Sequence, residues 1–369
     1  MSADLFRFAD ELGPIKIVHV HDPGSGMKGI VVVDNVACGP AIGGIRMAPD
    51  VSVEECFRLA RAMTLKNAAA GLPHGGGKSV MFGDPHMPEG EKEPLIRAFA
   101  QAIRGLTDYI PGPDMGTDER CMGWVKDEIG RAVGLPRTVG GIPLDEIGAT
   151  GLGCAVAAEA AEPYSGVAVK GARVAIQGFG AVGTHAARFL AERGAVIVAV
   201  SDSSTTLAAP GGLDVEKAIA LKRSGGRLAD YAGGVVRPAD AVLDVECEIW
   251  IPAARPDVLR ADTIGRLKTK LIVQGANIPA TPEAEAALAA RGVLSLPDFI
   301  ANAGGVICAA VEYHGGSQAA AFEAIREKIA RNVRETLEGA RAGGMLPRQA
   351  AEALARRRIA DAASTRRRF

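Results

Sequence analysis

The chain is 369 residues long, more than one domain usually holds, so two domains are expected. Hydrophobic residues make up 48% and charged residues 23%, the balance of a globular fold and not of a disordered or fibrous chain. A formal net charge of −1 and the lack of any apolar run of membrane-spanning length argue against nucleic acid and membrane as partners.

Six cysteines, at 38, 56, 121, 154, 247 and 308, form no C-x-x-C pair and no zinc-spaced cluster with histidine. No metal is expected, and the thiols read as the reduced cysteines of a cytoplasmic protein. The N-terminal residues Met1 to Arg7 lack the basic-then-apolar pattern of a signal peptide.

Strands are expected over 15–20 (IKIVHV) and 28–36 (KGIVVVDNV), punctuated by Pro14 and the Asp22-Pro23-Gly24 turn. Ser52, with Glu55 three residues on, has the form of a capping box and opens a helix to about Ala70. Further helices are expected over 91–105 and 117–133. Glycine and proline cluster at 134–148, which reads as a hinge, and a small-residue helix follows over 149–161.

Residues 172–202 read as a strand, a glycine turn, a helix, a second strand and an acid. This is the context that a dinucleotide-binding fingerprint requires. The strand covers 172–177, the turn is Gly178-Phe179-Gly180-Ala181-Val182-Gly183, the helix runs to about Arg193, and the strand over 195–201 ends at Asp202. Gly178 permits the tight turn, Gly180 admits a pyrophosphate to the backbone, and Gly183 lets helix and strand pack closely. The helix N-terminus offers free N–H groups to the phosphates, and Asp202 is placed to accept from the adenosine ribose.

Beyond Asp202, apolar strands are expected at 247–251, 271–274 and 293–296, each followed by a turn or helix. The alternation predicts a mostly parallel, doubly wound α/β sheet. Its ligand loops lie at the strand ends, Pro252-Ala253-Ala254, Gly275-Ala276-Asn277 and Pro297-Asp298. Helices over about 318–342 and 347–360 close the chain, and the arginines at 356–358 and 366–368 read as a solvated face and tail.

In the first half, Lys66 shares a helical stripe with Leu59, Met63 and Ala70, so it either snorkels to water or meets an anion. Gly75-Gly76-Gly77-Lys78-Ser79 places a second lysine after what reads as a flexible glycine run. It is not a P-loop, because Leu72 stands where that motif needs glycine and the preceding segment is helical. Two lysines converging on one site would lower the pKa of one and make it a general base. Asp114, held within Pro111-Gly112-Pro113-Asp114-Met115-Gly116, offers the carboxylate of a proton relay.

These residues carry a resemblance. From Gly39 to Glu312 the chain resembles the glutamate/leucine/phenylalanine/valine dehydrogenase family, on the leucine/phenylalanine/valine side. The motifs are Gly43-Gly44-Ile45-Arg46-Met47, Met63-Thr64-Leu65-Lys66-Asn67, Gly75-Gly76-Gly77-Lys78, Gly112-Pro113-Asp114 with Gly116-Thr117, Gly148-Ala149-Thr150-Gly151, the 178–183 fingerprint, Gly275-Ala276-Asn277, and Pro297-Asp298 with Asn302-Ala303-Gly304-Gly305-Val306. The resemblance implies reversible, NAD(P)-dependent oxidative deamination of an L-amino acid to a 2-oxo acid and ammonium. It implies that Lys66 binds the α-carboxylate, Lys78 is the general base that activates water, and Asp114 shuttles protons. Thr150 and Asn277 would sit near nicotinamide and substrate, and Gly178 to Gly183, Asp202, Ser203 and Ala253 would bind the cofactor. The implied organisation is a substrate and oligomerisation domain (1–145), a Rossmann domain (146–330) and C-terminal helices returning to the first domain (331–369). The active site would lie in the cleft, and the protein would be a homo-oligomer.

By the same resemblance the side-chain pocket comprises Ile42, Gly43, Met63, Gly112 and Ala309. Glutamate enzymes carry lysine at the position of Ile42 and serine at that of Ala309. A distal carboxylate facing Ile42 and Ala309 would be unpaired, and Gly112 and Ala309 are small and leave room, so the expected substrate is a large apolar amino acid such as phenylalanine or leucine. Glutamate would be disfavoured by roughly two orders of magnitude. Glutamate dehydrogenase is the alternative, and a non-catalytic NAD-binding regulator on the same fold is another. The joint presence of Lys66, Lys78 and Asp114 opposes the regulator. Asp202 favours NAD by repelling a 2′-phosphate, while the hydroxyls of Ser203 and Ser204 leave NADP open.

Overall fold

The computed structural model describes residues 5–365, so the readings made on the extreme N-terminus and on Arg366 to Arg368 lie outside the described residues. The chain divides into two compact units. One comprises residues up to Pro143, Val306–Ala321 and the chain from Ala355. The other comprises Leu144–Gly305 and Phe322–Leu354.

The first unit is built on a five-stranded sheet. Its strands are β1 (Lys16–Asp22), β2 (Met27–Asn35), β3 (Ala41–Ala48), β4 (Gly75–Phe82) and β5 (Tyr109–Pro113), in the spatial order β1-β2-β4-β3-β5. The pairs β1/β2 and β2/β4 are antiparallel, and β3 runs parallel to both β4 and β5. Helices α1 (Val53–Ala69), α2 (Glu89–Ala102) and α3 (Glu119–Ile129) connect these strands. α1 begins where expected: Ser52 accepts the N–H of Glu55, but the Glu55 carboxylate pairs with Arg46 instead of returning to the cap. α3 is shorter than the expected 117–133, because Asp118 caps its start and Gly130, at φ 75°, ends it.

Three readings are corrected here. The glycine run at 75–77 is no flexible loop but the start of β4, buried between β2 and β3. Its glycines are required by close approach: a Cβ at Gly76 would lie 2.0 Å from the Thr64 backbone N, and one at Gly75 would lie 1.8 Å from the Asn35 carbonyl. The first part of the expected hinge is pinned, because the buried Glu312 accepts the N–H groups of Gly134, Leu135 and Ile142 at 2.7, 3.2 and 2.6 Å. Arg358 is not part of a solvated face; it donates to the carbonyls of Ala68 and Ala69 at the C-terminal end of α1.

The second unit holds α4 (Leu144–Ile147), α5 (Ala149–Ala160), α6 (Glu162–Ser165), β6 (Arg173–Gln177), α7 (Ala181–Glu192), β7 (Val196–Ser201), β8 (Thr205–Ala208), α8 (Val215–Arg223) and β9 (Val235–Pro238). It continues with β10 (Ile249–Pro252), β11 (Leu271–Val273), α9 (Pro282–Ala290), β12 (Leu294–Leu296) and α10 (Asp298–Ala301). The chain ends in α11 (Gly304–Tyr313), α12 (Gln318–Gly343) and α13 (Pro347–Ser364). The strand order is β12-β11-β10-β6-β7-β8-β9, parallel from β12 to β7, with β8 and β9 added antiparallel at the edge. β6 lies between β7 and β10, so the strand order reverses beside it, and the turn after β6 opens at a topological switch point. The expected two-domain α/β architecture with a Rossmann-type sheet is what the structure has. No helix among the described residues is long and apolar enough to cross a membrane.

Gly76→Ala should cost about 3 kcal/mol, because the obstacle is helix backbone that cannot rotate away. Thermal or urea unfolding of the variant reads this directly; wild-type stability would contradict the packing.

Candidate active site

In the first unit the strand ends assemble a charged group. The Lys78 ammonium on β4 lies 2.9 Å from Asp114 Oδ2, and Arg46 Nε on β3 lies 2.9 Å from the same oxygen. Arg46 also reaches Glu55 on α1 at 2.6 Å. Lys78 is only 6% exposed. Asp114 follows β5 directly, and its loop is held against β3: the Thr117 hydroxyl accepts the Asp114 N–H at 3.1 Å and donates to the Ile45 carbonyl at 2.7 Å. Burial alone would push the Asp114 carboxyl up, but Lys78 and then Arg46 outweigh it and hold the group below its ordinary value of 3.8.

The expectation that Lys78 is crowded by a cation is corrected: its contacting charge is the Asp114 anion, and the cation sharing that anion is Arg46. The sequence reading gave Arg46 no role. Its position within the Gly-Gly-Ile-Arg motif was the available signal. Lys66 is half-buried, not buried, and so are Leu59 and Met63. The inward face of α1 is instead Cys56, Ala60, Thr64, Asn67 and Ala68. The turn carrying Lys66 still lies directly over β4, since Thr64 backs onto Gly76 and Asn67 donates to the carbonyls of Gly75 and Ile42.

Ile42 and Ala309 come together with Ile110 and Val133 in one buried apolar cluster. Gly43 on β3 stands against β4, where a Cβ would lie 1.7 Å from the Gly77 carbonyl oxygen. The room expected beside Gly112 is not open: a Cβ there would lie 3.0 Å from Val133 Cγ2. Val133 fills the space that the small residue leaves.

In the second unit each glycine of the fingerprint has a distinct task. Gly178 takes φ 97°, and a Cβ there would meet the Ala254 backbone N at 2.8 Å. A Cβ on Gly183 would lie 1.8 Å from the Gly178 carbonyl oxygen. A Cβ on Gly180 would meet nothing within 4 Å, so its bareness serves no packing within the chain. Gly180 is the N-cap of α7 and supplies no side-chain acceptor, so the turn formed by Phe179, Ala181 and Val182 presents backbone N–H groups without a side-chain cap. These features fit a dinucleotide pyrophosphate.

Asp202 is held by its own turn: Oδ1 accepts from Ser204 N (3.0 Å), Ser204 Oγ (2.9 Å) and Thr205 N (3.0 Å), and Lys222 lies 3.5 Å from Oδ2. Burial would raise its pKa, but these bonds and Lys222 lower it, so the carboxylate stays ionised. Ser203 is exposed, and Ala253 donates its N–H to Gln177 at 2.7 Å. Thr150 opens α5 against Gly305. Asn277 is exposed on the loop after β11, where its Oδ1 accepts from Asn302 at 2.9 Å.

Both halves of the chain match family models. Residues 14–131 match the Glu/Leu/Phe/Val dehydrogenase dimerisation domain, and residues 140–367 match the glutamate/leucine/phenylalanine/valine dehydrogenase model. The chain is 42% identical over 293 residues to a glutamate dehydrogenase of Aeropyrum pernix, covering 76% of this chain and 70% of that protein. Its fold is similar to the Leu-bound hetero-hexameric glutamate dehydrogenase of Thermus thermophilus, with a TM-score of 0.85 and 31% identity over 96% of this chain and 91% of that one. It is also similar to an L-tryptophan dehydrogenase of Nostoc punctiforme, with a TM-score of 0.76 and 27% identity over 95% and 97% of the two chains.

Asp114→Asn should destabilise the protein by about 3 kcal/mol at neutral pH, since it leaves the buried Lys78 and the half-buried Arg46 facing a neutral group. The folded-state pKa of Asp114 lies below the ordinary 3.8, so its stabilisation is present above that value and fades as pH falls through the folded one. The gap between wild type and variant in urea unfolding should therefore hold from pH 7 to about 5 and narrow below it. A gap that widens on acidification would refute the assignment.

Proposed function

This chain belongs to the glutamate/leucine/phenylalanine/valine dehydrogenase family, and from that premise we propose how its residues deaminate an L-amino acid. The enzyme class is NAD(P)-dependent amino acid dehydrogenase; the regulator reading falls with it. The observation that carries the proposal is the Lys78–Asp114–Arg46 group, a buried lysine in direct contact with a carboxylate that Arg46 shares. Lys66 binds the α-carboxylate. Lys78 takes the proton of the attacking water, and Asp114 carries protons to and from the departing amine. The 178–183 turn, Asp202, Ser203 and Ala253 would hold NAD(P), whose nicotinamide would supply the hydride acceptor near Thr150 and Asn277. Amino acid, NAD(P)+ and water give 2-oxo acid, ammonium, NAD(P)H and one proton.

For the side chain, glutamate is the reading that the relatives support better, because proteins similar to this chain in sequence carry that name, the Aeropyrum pernix enzyme among them. The apolar reading keeps one specific support, the closed cluster of Ile42, Ile110, Val133 and Ala309, none of which can pair a second carboxylate. The tryptophan enzyme among similar folds is consistent with it. NAD is the proposed cofactor, with NADP as the alternative that Lys222 beside Asp202 makes less unfavourable. A cytoplasmic homo-oligomer is the proposed setting, in keeping with six free cysteines and a hexameric relative.

The deciding measurement is NADH and NADPH oxidation with ammonium across 2-oxoglutarate, 4-methyl-2-oxopentanoate, phenylpyruvate and indolepyruvate. The glutamate reading expects kcat/KM for 2-oxoglutarate to exceed the others by about tenfold or more. The reverse order establishes the apolar reading, and turnover of none removes both. Lys78→Ala should lower kcat by roughly two to four orders of magnitude while NADH affinity stays within about twofold. Retained turnover would exclude Lys78 as the base.

A further inference from the structure

The loop after β11 carries Asn277, and it is held in an uncommon conformation. Ile278 adopts φ 48°, in the left-handed region, and is 52% exposed. A β-branched residue rarely takes this conformation, which is strained and persists only where the surroundings enforce it. The Ile278 side chain is exposed, and its backbone is held at both polar groups.

Two side chains supply the hold on its N–H. Asp298, at the start of α10 and 5% exposed, accepts the Ile278 N–H on Oδ2 at 2.8 Å. Its other oxygen accepts from Arg348 at 3.0 Å. Arg348 is anchored in turn by Glu285 at 2.7 Å and by the side-chain Oε1 of Gln274 at 3.0 Å, while the Gln274 side-chain amide donates to Glu285 at 2.7 Å. Gln274 lies just beyond β11 and starts the loop that Ile278 ends. One guanidinium thus ties both ends of the loop to α9 and α10. Between these ends Asn302 donates to the Ala276 carbonyl at 3.2 Å and to Asn277 Oδ1 at 2.9 Å, which leaves the Asn277 amide N–H groups facing outward. On the far side the Ile278 carbonyl accepts from the N–H of Asp257, the other non-glycine residue at positive φ among the described residues, at 3.0 Å.

We propose that Asp298 and Arg348 are positioning residues that hold Asn277 in its working orientation by fixing Ile278 in the left-handed conformation. This rests on the placement of Asn277 beside nicotinamide and substrate in the reading above. The Asp298–Arg348 pair is charge-assisted and largely shielded from solvent, so it is stronger than the neutral bonds it organises. When it is broken, Ile278 relaxes and Asn277 turns with it.

The test uses Asp298→Ala, Arg348→Lys and Ile278→Gly in the full-length protein. Asp298→Ala should lose the amide-exchange protection of Ile278 and lower kcat by about tenfold or more with a smaller change in KM. Arg348→Lys keeps one charge and should lose less. Ile278→Gly occupies positive φ without strain, so alone it should raise the melting temperature, and combined with Asp298→Ala it should restore part of the lost kcat. If Asp298→Ala does not fold, Asp298→Leu, which also lacks an acceptor for the Ile278 N–H, replaces it with the same expectations.

A merely structural role predicts a lower melting temperature, wild-type kcat per folded molecule and no rescue by glycine; that outcome overturns the proposal. Exchange protection at Ile278 is read without turnover. Its persistence in Asp298→Ala therefore sinks the proposal even if the wild type is active, whereas an inactive wild type sinks the reading of Asn277 instead.

Discussion

One carboxylate oxygen receiving two cations organises the first unit. Lys78 and Arg46 converge on Asp114 Oδ2, and withdrawing a buried Lys78 and two half-buried charges from water is costly unless each is paired. Their convergence depends on strands that approach without side chains in between. β3 meets β4 through Gly43, and Gly44 meets the Asp114 loop, where a Cβ would lie 2.8 Å from Asp114 Cβ. The buried Tyr109 hydroxyl seals the same strands, donating to the Gly43 carbonyl at 2.8 Å and meeting Ser79 Oγ at 2.9 Å. Glycine backbone packing sets the distances, and the ion pairs use them.

This explains why the two halves differed in legibility. In the second unit, strand, turn, helix, strand and acid are consecutive in sequence, and each glycine answers a local demand. The elements were therefore readable to within a residue or two, as with β7 at Val196–Ser201. In the first unit the decisive contacts join residues far apart in sequence. Gly75 to Gly77 read as flexible because glycine disfavours strands, and only the presence of α1 and β2 on either side shows why nothing larger fits. β5, with the sequence YIPGP, was missed for a related reason: two prolines and a glycine argue against a strand, yet β5 pairs only with β3 at the edge of the sheet. The lysines and Asp114 were found by motif. Arg46 was not assigned, because its partners Glu55 and Asp114 lie 9 and 68 residues away.

Global similarity and local chemistry speak differently about the substrate. Identity to a glutamate dehydrogenase accumulates over 293 residues, most of which build sheets, helices and the deamination machinery common to the family. Side-chain choice depends on a handful of positions, and a single lysine-to-isoleucine difference outweighs hundreds of neutral matches if that lysine was the partner of a buried carboxylate. The reverse holds as well. The small residues read as room for a large apolar group do not provide it, since Val133 already occupies the space beside Gly112. Counting residue sizes along a sequence overestimates free volume, because interiors are filled by whichever neighbour the fold supplies.

The glycines of the two units show how one residue type serves opposite ends. At Gly43, Gly75, Gly76 and Gly183 a Cβ would collide with backbone at 2.0 Å or less, so glycine there lets the protein touch itself. At Gly180 a Cβ would meet nothing, so packing cannot account for glycine, and what it leaves room for lies outside the chain. The motif spells both kinds with one letter, and the surroundings of each position separate them. Gly183 serves the packing of α7 on the turn, Gly180 does not, and Gly178, with φ 97° and Ala254 against it, joins the turn after β6 to the one after β10 at the point where the strand order reverses. The turn after β6 therefore carries one glycine that packing does not explain, flanked by two that it does.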